Sequence, residues 1–395
     1  METTPAFSGL RCPACETVHD ADTVTHRCPD CGGVLDAHYE HSRDNPDRDT
    51  LTARPFGGID RYAEFLPFPA ETLLTVGEGA TPLVEAPALA ERLGVERVLI
   101  KDEGQNPTGS IADRQAALAV TAGTVHDAGA VALPSTGDSG QAVSAYAARA
   151  GLDVEVFVPS RAIFDAKAMI NVHGGEMSVV DGRFDDAVAA FRDAVDEGQY
   201  SLAPFETPYR QEGLKTAYYE IVEQLHWDRP DHLVYPTGTG LGPVGMVRAA
   251  RNFETRGWTD GTPAVHIAQA EGCAPFVDAF ETGDVGQPTV AYPDTICGGI
   301  EIAEPPTAQR VLDAVTDSGG TAVATPDTAI LEAAADIAQT VAIEVGTSGG
   351  AAASAAMALA DRDVFGADET VVLVNPAAGN KEADVLRSHL MSKGI

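Results

Sequence analysis

Short apolar runs alternate with amphipathic stretches along most of the chain. Stretches such as 139–151 and 183–198 carry apolar residues at helical spacing. Between such stretches lie seven runs, mostly β-branched and mostly ending in Gly, Pro, Ser or Asn, which predict strands at 97–103, 130–135, 154–160, 176–181, 232–238, 264–270 and 370–376. The alternation predicts an α/β protein with mainly parallel sheets, and no tandem repeat of solenoid period is seen.

Four loops rich in glycine or hydroxyl residues follow predicted strands. They read NPTGSIADR (106–114), STGDSGQA (135–142), PTGTGLGPVG (236–245) and NPAAGNK (375–381). In open parallel sheets, ligands bind beyond the carboxyl ends of strands, where loops lead into helix N-termini. One such loop is weak evidence for a ligand site, because glycine in a loop usually serves only to form the turn. Four at one edge predict an anionic, ring-bearing ligand held by backbone N–H groups.

The N-terminal segment carries a cysteine pattern typical of a metal site. Cys12, Cys15, Cys28 and Cys31 form the pairs CPAC and CPDC, separated by twelve residues. Two such knuckles bring four thiolates around one Zn²⁺, and the metal then supplies folding free energy to a segment too small for its own core. Disulfides are the alternative for these cysteines. Cys273 and Cys297 are isolated and are predicted to be small buried side chains.

The charge is strongly acidic, with 59 Asp and Glu against 26 Lys and Arg and a net charge of −33. The acidic residues are spread over every segment, which favours adaptation to a high-salt cytoplasm, with an ordinary acidic protein as the alternative. Such a surface repels nucleic acid and anionic membranes. The chain has neither a membrane-length apolar run nor the pattern of a signal peptide at its start, so we expect a cytoplasmic protein.

In order and spacing, the motifs resemble the threonine synthase branch of the fold-type II pyridoxal phosphate enzymes. The resemblance runs from the cysteine pairs through GEGATPL (77–83) and the loops above to GNKEADVLRSHL (379–390). It implies two three-layer α/β/α domains with mainly parallel sheets and the cofactor in the cleft between them, behind a zinc ribbon-like segment. We expect the ribbon at 1–40, a linker and connecting helix at 41–74 with a polar stretch at 41–55, a large domain from 75–113 and 206–395, and a small domain at 114–205.

Carried over residue by residue, the resemblance implies a partly preserved cofactor site. Asn106 to Ser110 and Arg114 match the family pattern, and Ser110 is expected at the cofactor. The phosphate loop is preserved, and its expected contacts are Gly238, Thr239, Gly240, Leu241 and Gly242 at a helix start.

The reactive centre departs from the family at three positions. Ala112 stands where the family has its Schiff-base lysine, and a methyl group forms no covalent bond to the cofactor and transfers no proton. Asp138 replaces an asparagine that contacts the phenolic oxygen, where a carboxylate repels the phenolate or takes up a proton. Pro376 lies where the family usually has a hydroxyl near the ring nitrogen. Lys101 and Lys381 are alternative amines near the expected cleft.

Three functions follow from these features. The leading one is a degenerate threonine synthase-like paralogue that binds pyridoxal phosphate or a phosphorylated amino acid non-covalently, as a homodimer or with an intact paralogue. The second is an active threonine synthase or related amino acid lyase, converting O-phosphohomoserine to threonine, seen as a lysine-to-alanine variant. Three departures around one cofactor favour natural loss over a single engineered change. The third is a zinc ribbon binding or scaffold protein, for which the charge disfavours nucleic acid as partner.

Overall fold

The computed structural model describes residues 1–24, 26–40, 46–196, 198–286 and 288–394. The chain divides into two compact units. The first comprises Met1–Ala80 and Ala112–Ala217, and the second comprises Thr81–Ile111 and Tyr218–Ile395.

The strands of the described residues form three sheets. They are β1 Phe7–Arg11, β2 Val18–His19, β3 Asp36–Tyr39, β4 Leu83–Glu85, β5 Arg97–Asp102, β6 Ala130–Pro134, β7 Asp153–Pro159, β8 Glu176–Val180, β9 Gln199–Ser201, β10 His232–Pro236, β11 Ala264–Ala270, β12 Ala322–Thr325 and β13 Thr370–Asn375.

The α-helices lie mainly between these strands. They are α1 Arg48–Ala53, α2 Pro87–Leu93, α3 Ala112–Val125, α4 Asp138–Ala150, α5 Phe164–Val172, α6 Phe184–Ala194, α7 Tyr209–Gln224, α8 Leu241–Thr255, α9 Pro275–Thr282, α10 Ala308–Asp317, α11 Asp327–Val341, α12 Thr347–Ala360 and α13 Ala383–Ser392. Short 3₁₀ helices span Ile59–Phe65, Glu103–Gln105 and Gly379–Glu382. No helix in the described part of the chain is long and apolar enough to cross a membrane.

The first unit contains two sheets. The N-terminal sheet is antiparallel with the order β2-β1-β3, and the second is parallel throughout with the order β8-β7-β6-β9. Alternate residues of the parallel sheet enter different apolar clusters: Val131 and Leu133 of β6 pack with α3 and α4, whereas Ala132 packs with Phe191 of α6. Helices therefore cover both faces of this sheet, which gives the expected three layers.

The second unit is built on a six-stranded sheet with the order β12-β11-β10-β13-β5-β4. Its pairs are parallel except for β4, which runs antiparallel to β5 at one edge. The central strands are buried along almost their whole length, as in sheets covered on both faces. Val234 of β10 packs with α11 and α12, and the ring of its neighbour Tyr235 lies against Gly242 in the first turn of α8.

The fold confirms the predicted α/β class and all seven predicted strands, each to within one or two residues at its ends. The predicted helical stretch 183–198 is shorter, because α6 ends at Ala194, and residue 197 lies outside the described residues. Strands β4, β9 and β12 of the two larger sheets were not predicted from the sequence. Within the polar stretch 41–55, residues 41–45 lie outside the described part and α1 occupies Arg48–Ala53.

The N-terminal sheet shares a core with the rest of its unit. Phe7, Leu10 and Leu35 belong to one buried cluster with Phe68 and with residues of α3 and α4. The segment thus has no core of its own, as expected, and apolar burial against the rest of the unit stabilises it in addition to any metal.

Candidate functional site

The loop after β10 presents a set of unsatisfied backbone donors in the second unit. Thr237 is buried and its N–H bonds to the carbonyl of Ala268, which anchors the loop to the sheet. Helix α8 begins at Leu241, so the N–H groups from Gly238 to Gly242 precede or open the helix. No acceptor within the described residues takes a hydrogen bond from these groups. A helix N-terminus of this kind binds anions through its N–H groups and its dipole.

Two glycines of this loop are required by its geometry. Gly240 has a φ of 89°, which disfavours other residues, and a Cβ there would lie 2.3 Å from Val311. A Cβ on Gly242 would lie 2.1 Å from the ring of Tyr235. The side chains beneath the loop thus hold its backbone close to the sheet, which leaves its N–H groups as the chemical feature of the loop.

The loop after β5 is joined to the loop after β13. Ile111 N–H donates to Pro376 O at 2.8 Å, Ala378 N–H donates to Gly109 O at 2.9 Å, and Ser110 pairs with Ala377 as an isolated bridge. Pro376 is the residue expected near a ring nitrogen, and its carbonyl accepts the hydrogen bond from Ile111 N–H. Ser110 is 1% exposed, and its hydroxyl has no hydrogen-bond partner. A buried hydroxyl without a partner is costly, so Ser110 is suited to contact a ligand.

Ala112 opens α3 in the first unit and is 4% exposed. Asp113 and Arg114, which follow it, are fully buried, and Arg114 donates to Thr216 Oγ1 at 3.0 Å. Alanine is a strong helix former, so α3 starts without any need for a longer side chain at this position. The helix is retained although its first residue offers no reactive group.

Asp138 lies in the first turn of α4 and is half-buried. The helix dipole favours a negative charge there, so the carboxylate is compatible with the local fold. Arg210 was not predicted from the sequence. It donates to Oγ of Ser139, the residue after Asp138, at 2.9 Å and also to Gln115 Oε1. Burial lowers the pKa of Arg210 to about 10. Arg210 thus fixes the hydroxyl of Ser139 at the start of α4.

A buried acid of the GEGATPL motif, not predicted as a site residue, lies in the same unit. Glu78 is fully buried and accepts from the hydroxyl of Tyr146 at 2.6 Å and from Val76 N–H at 3.0 Å. Its Oε1 has no hydrogen-bond partner, and burial raises the pKa of Glu78. Burial also raises the pKa of the Tyr146 hydroxyl.

Comparisons with known proteins agree with these features. Residues 74–377 match the family model described as pyridoxal-phosphate dependent enzyme. The chain belongs to this family. It is 35% identical over 367 residues to a threonine synthase of Methanosarcina acetivorans, covering 92% of this chain and 90% of that protein. It is 32% identical over 378 residues to a threonine synthase of Methanocaldococcus jannaschii, covering 95% and 93%.

Solved structures show the same fold at lower identity. A fungal L-serine ammonia-lyase from Rhizomucor miehei aligns with a TM-score of 0.69 and 19% identity, over 78% of this chain and 98% of that one. A maize serine racemase aligns with a TM-score of 0.67 and 18% identity, over 80% and 94%. The fold is therefore that of the fold-type II pyridoxal phosphate enzymes, and the expected threonine synthase-like branch is confirmed by the curated relatives.

The residues present fit one end of the family's cofactor. The N–H groups of Gly238 to Gly242 and the orphaned hydroxyl of Ser110 fit a phosphorylated ligand. Ala112, at the position where the family resemblance implies the Schiff-base lysine, offers no amine. The residues of the second unit therefore fit the cofactor as an anion, and alanine at residue 112 does not fit it as a covalent partner.

The two lysines considered as alternative amines differ in their surroundings. Lys101 is fully buried and donates to Thr81 O at 2.8 Å, to Glu220 Oε2 at 2.7 Å and to Gln224 Oε1 at 2.9 Å, which occupies its three N–H groups. Lys381 is half-buried, and its Cε would lie 3.7 Å from a Cβ placed on Gly109. Lys381 therefore packs its stem against the loop that contains Ser110, whereas Lys101 is a structural cation.

The four N-terminal cysteines come together as the spacing predicted. Cys12 Sγ lies 3.4 Å from Cys31 Sγ, Cys15 Sγ lies 3.6 Å from Cys28 Sγ, and all four sulfurs lie within 4.8 Å of one another. None of the four is in a disulfide. Zinc–sulfur bonds of about 2.3 Å in a tetrahedron put sulfurs about 3.8 Å apart, so the set fits Zn²⁺. Cys273 and Cys297 are buried, as predicted, and burial raises the pKa of Cys297 to about 12.

Proposed function

We propose that this protein is a threonine synthase-like paralogue that binds pyridoxal phosphate or a phosphorylated amino acid non-covalently and lacks lysine-based chemistry at residue 112. The observation that carries the proposal is the occurrence in one chain of an intact phosphate loop, Gly238 to Gly242, and of alanine at the first residue of α3. The loop keeps its anion-binding donors, whereas the residue that would bond to the ligand is a methyl group.

The chain differs from the family pattern at more positions than the lysine. Asp138 puts a carboxylate in the first turn of α4, and Pro376 and Ala377 offer no side-chain hydroxyl in the last loop. Several departures from one family pattern favour a natural loss of chemistry. The second function, an active enzyme that turns O-phosphohomoserine into threonine and carries a lysine-to-alanine change, is supported by relatives named threonine synthase. A lysine codon at position 112 in the natural gene would establish it.

The other properties belong to the same proposal. We place the protein in the cytoplasm of a salt-adapted organism, as a homodimer or as the partner of an intact paralogue, with one Zn²⁺ on its four N-terminal cysteines. The net charge of −33 supports the salt adaptation, and the cysteine cluster supports the metal site. A scaffold function of the N-terminal segment ranks last, because this segment packs into the core of its own unit.

Calorimetric titration in concentrated KCl tests the ligand half of the proposal. Pyridoxal phosphate should bind at least about tenfold more tightly than pyridoxal, since only the former carries the anion that the loop holds. Ser110→Ala should weaken binding of pyridoxal phosphate. Ser354→Ala is the matched control, because Ser354 is a buried serine of the same unit that bonds to Thr325 Oγ1 and should leave binding unchanged. Equal binding of pyridoxal and pyridoxal phosphate, or no binding of either, would contradict the proposal.

A further inference from the structure

The two cysteine knuckles share one backbone geometry. In the first, Cys12 N–H donates to Thr17 O at 2.9 Å and Glu16 N–H donates to Cys12 O at 2.8 Å. In the second, Cys28 N–H donates to Gly33 O at 2.9 Å and Gly32 N–H donates to Cys28 O at 2.8 Å. Each knuckle therefore has the same backbone hydrogen bonds around its first cysteine, and the two knuckles bring four sulfurs together.

One further side chain lies beside the second knuckle. His19 ends β2, where it pairs with Leu10 of β1, and this register carries its ring to the second knuckle. Its Nε2 lies 3.3 Å from Cys28 Sγ and 4.0 Å from Asp30 Oδ2. The side chain of His19 is only 11% exposed, so the contact is sheltered from solvent.

His19 lies next to the sulfurs and is not placed as a fifth ligand. Two groups of possible ligand atoms lie within 4.8 Å of one another. One group contains His19, Cys28 and Asp30, and the other contains Cys28 and the other three cysteines. Four sulfurs complete a tetrahedral zinc site by themselves. A metal-bound thiolate has no hydrogen to give, so a hydrogen bond between the two residues requires His19 to carry the proton on Nε2.

We propose that His19 is a positioning residue of the N-terminal metal site, donating an Nε2–H hydrogen bond to the thiolate of Cys28. This inference rests on the proposed Zn²⁺ site. Four thiolates around Zn²⁺ carry a net charge of −2, and the chain as a whole carries −33. The hydrogen bond offsets part of this negative charge, favours the thiolate of Cys28 over the thiol and holds its sulfur in place, which together strengthen metal binding. Outer hydrogen-bond partners of this kind typically change metal affinity by about 10–100-fold.

The test uses the full-length protein with Zn²⁺ and with Co²⁺. Zinc content and affinity come from chelator competition, and the sulfur-to-cobalt absorption reports the electron density of the thiolates. His19→Leu should bind zinc about 10–100-fold more weakly and shift the absorption to longer wavelength. His19→Gln, which keeps an N–H donor, should recover part of both changes. His38→Ala is the matched control, because His38 lies in β3 of the same sheet and outside the groups of possible ligand atoms.

The possible failures are distinguishable. A wild-type protein that binds no Zn²⁺ overturns both the metal site and the role of His19. Tight binding of one Zn²⁺, with His19→Leu equal to wild type in affinity and spectrum, overturns the role of His19 alone. A cobalt spectrum of three sulfurs and one nitrogen in the wild type makes His19 a ligand and also overturns the proposal. None of these outcomes bears on the binding of a phosphorylated ligand in the second unit.

Discussion

Nζ of Lys101 lies 2.7 Å from Oε2 of Glu220, and both side chains are fully buried. Glu220 also accepts from Thr81 N–H at 3.3 Å, and a second buried acid, Glu103, accepts from the hydroxyl of Thr81 at 2.7 Å. The ion pair thus anchors the end of β5, directly before the loop that carries Ser110. A lysine held in this way is fixed by its partners and is unsuited to react with a ligand.

Breaking this pair should destabilise the second unit strongly. Lys101→Met leaves the carboxylate of Glu220 buried without its cation, which we expect to cost about 3–5 kcal/mol of unfolding free energy. The double variant Lys101→Met/Glu220→Leu should recover much of that loss, because both charges are removed together. Denaturant unfolding in constant high salt measures both. A single variant with wild-type stability would show that the ion pair has no structural role.

Restoring a lysine at residue 112 should restore covalent capture without restoring catalysis. In Ala112→Lys, borohydride reduction in the presence of pyridoxal phosphate should label residue 112, and Ala112→Met, of similar length without an amine, should give no label. Threonine formation from O-phosphohomoserine should stay absent in the single variant, because the carboxylate of Asp138 remains in the site implied by the family resemblance. The double variant Ala112→Lys/Asp138→Asn should be the more active. Full activity of the single variant would contradict the view that several contacts have been lost.

Acid should weaken the second unit through His266. Its Nδ1 accepts from Thr321 N–H, its Nε2 lies 2.9 Å from His232 Nδ1, and His232 Nε2 contacts Glu369. Burial lowers the pKa of His266 to about 3, against about 6.5 in an unfolded chain. Below pH 6.5 the unfolded state therefore binds the extra proton, and stability falls as the pH drops towards 3.

The measurement is the free energy of unfolding of wild type and His266→Asn between pH 7 and pH 4. The wild type should lose a few kcal/mol more than the variant over this range, because only the wild type has this histidine to protonate on unfolding. Identical pH profiles would exclude His266 as the source. The difference between the two profiles reports the contribution of His266 together with its hydrogen bond to His232.

The first cysteine knuckle carries strain that the second avoids. Glu16 has a φ of 62°, and the equivalent position in the second knuckle is Gly32 with a φ of 74°. Glu16→Gly should raise stability by up to about 1 kcal/mol, since its exposed ion pair with Arg11 contributes little. Gly32→Ala, the mirror change, should lower stability by about 1 kcal/mol. The melting temperatures of the zinc-loaded wild type and of the two variants measure these changes. A Glu16→Gly variant less stable than wild type would contradict strain at Glu16.

The charge of −33 predicts dependence on salt. The Debye length shortens from about 10 Å at 0.1 M to about 3 Å at 1 M, so repulsion between carboxylates weakens as salt is added. The melting temperature should therefore rise with KCl concentration, and should rise less for a variant with several exposed acids changed to Gln or Asn. A melting temperature independent of KCl would contradict salt adaptation.

The sequence predicted the features that depend on local patterns. The seven β-branched runs became strands, and the CPAC and CPDC spacing brought four sulfurs together. Strand β9 was missed because Gln199–Ser201 is short and polar, and only its pairing with β6 makes it a strand.

Pairs distant in sequence had no local signal. Glu220 reaches Lys101 across 119 residues, and Arg210 reaches Ser139 across 71. His19 was not singled out, because its contact with Cys28 depends on the register of β2 against β1. Such contacts follow from tertiary packing, which periodicity and motif spacing do not specify.

Non-covalent binding is best tested by reducing the wild-type protein with borohydride in saturating pyridoxal phosphate and mapping the labelled peptides. We predict saturable, phosphate-dependent binding, with no lysine labelled above the background set by pyridoxal alone. Stoichiometric labelling of a single lysine, with Lys381 the foremost candidate, would show that the reactive amine has moved. The protein would then be a covalent pyridoxal phosphate enzyme, and the proposed loss of lysine chemistry would be wrong.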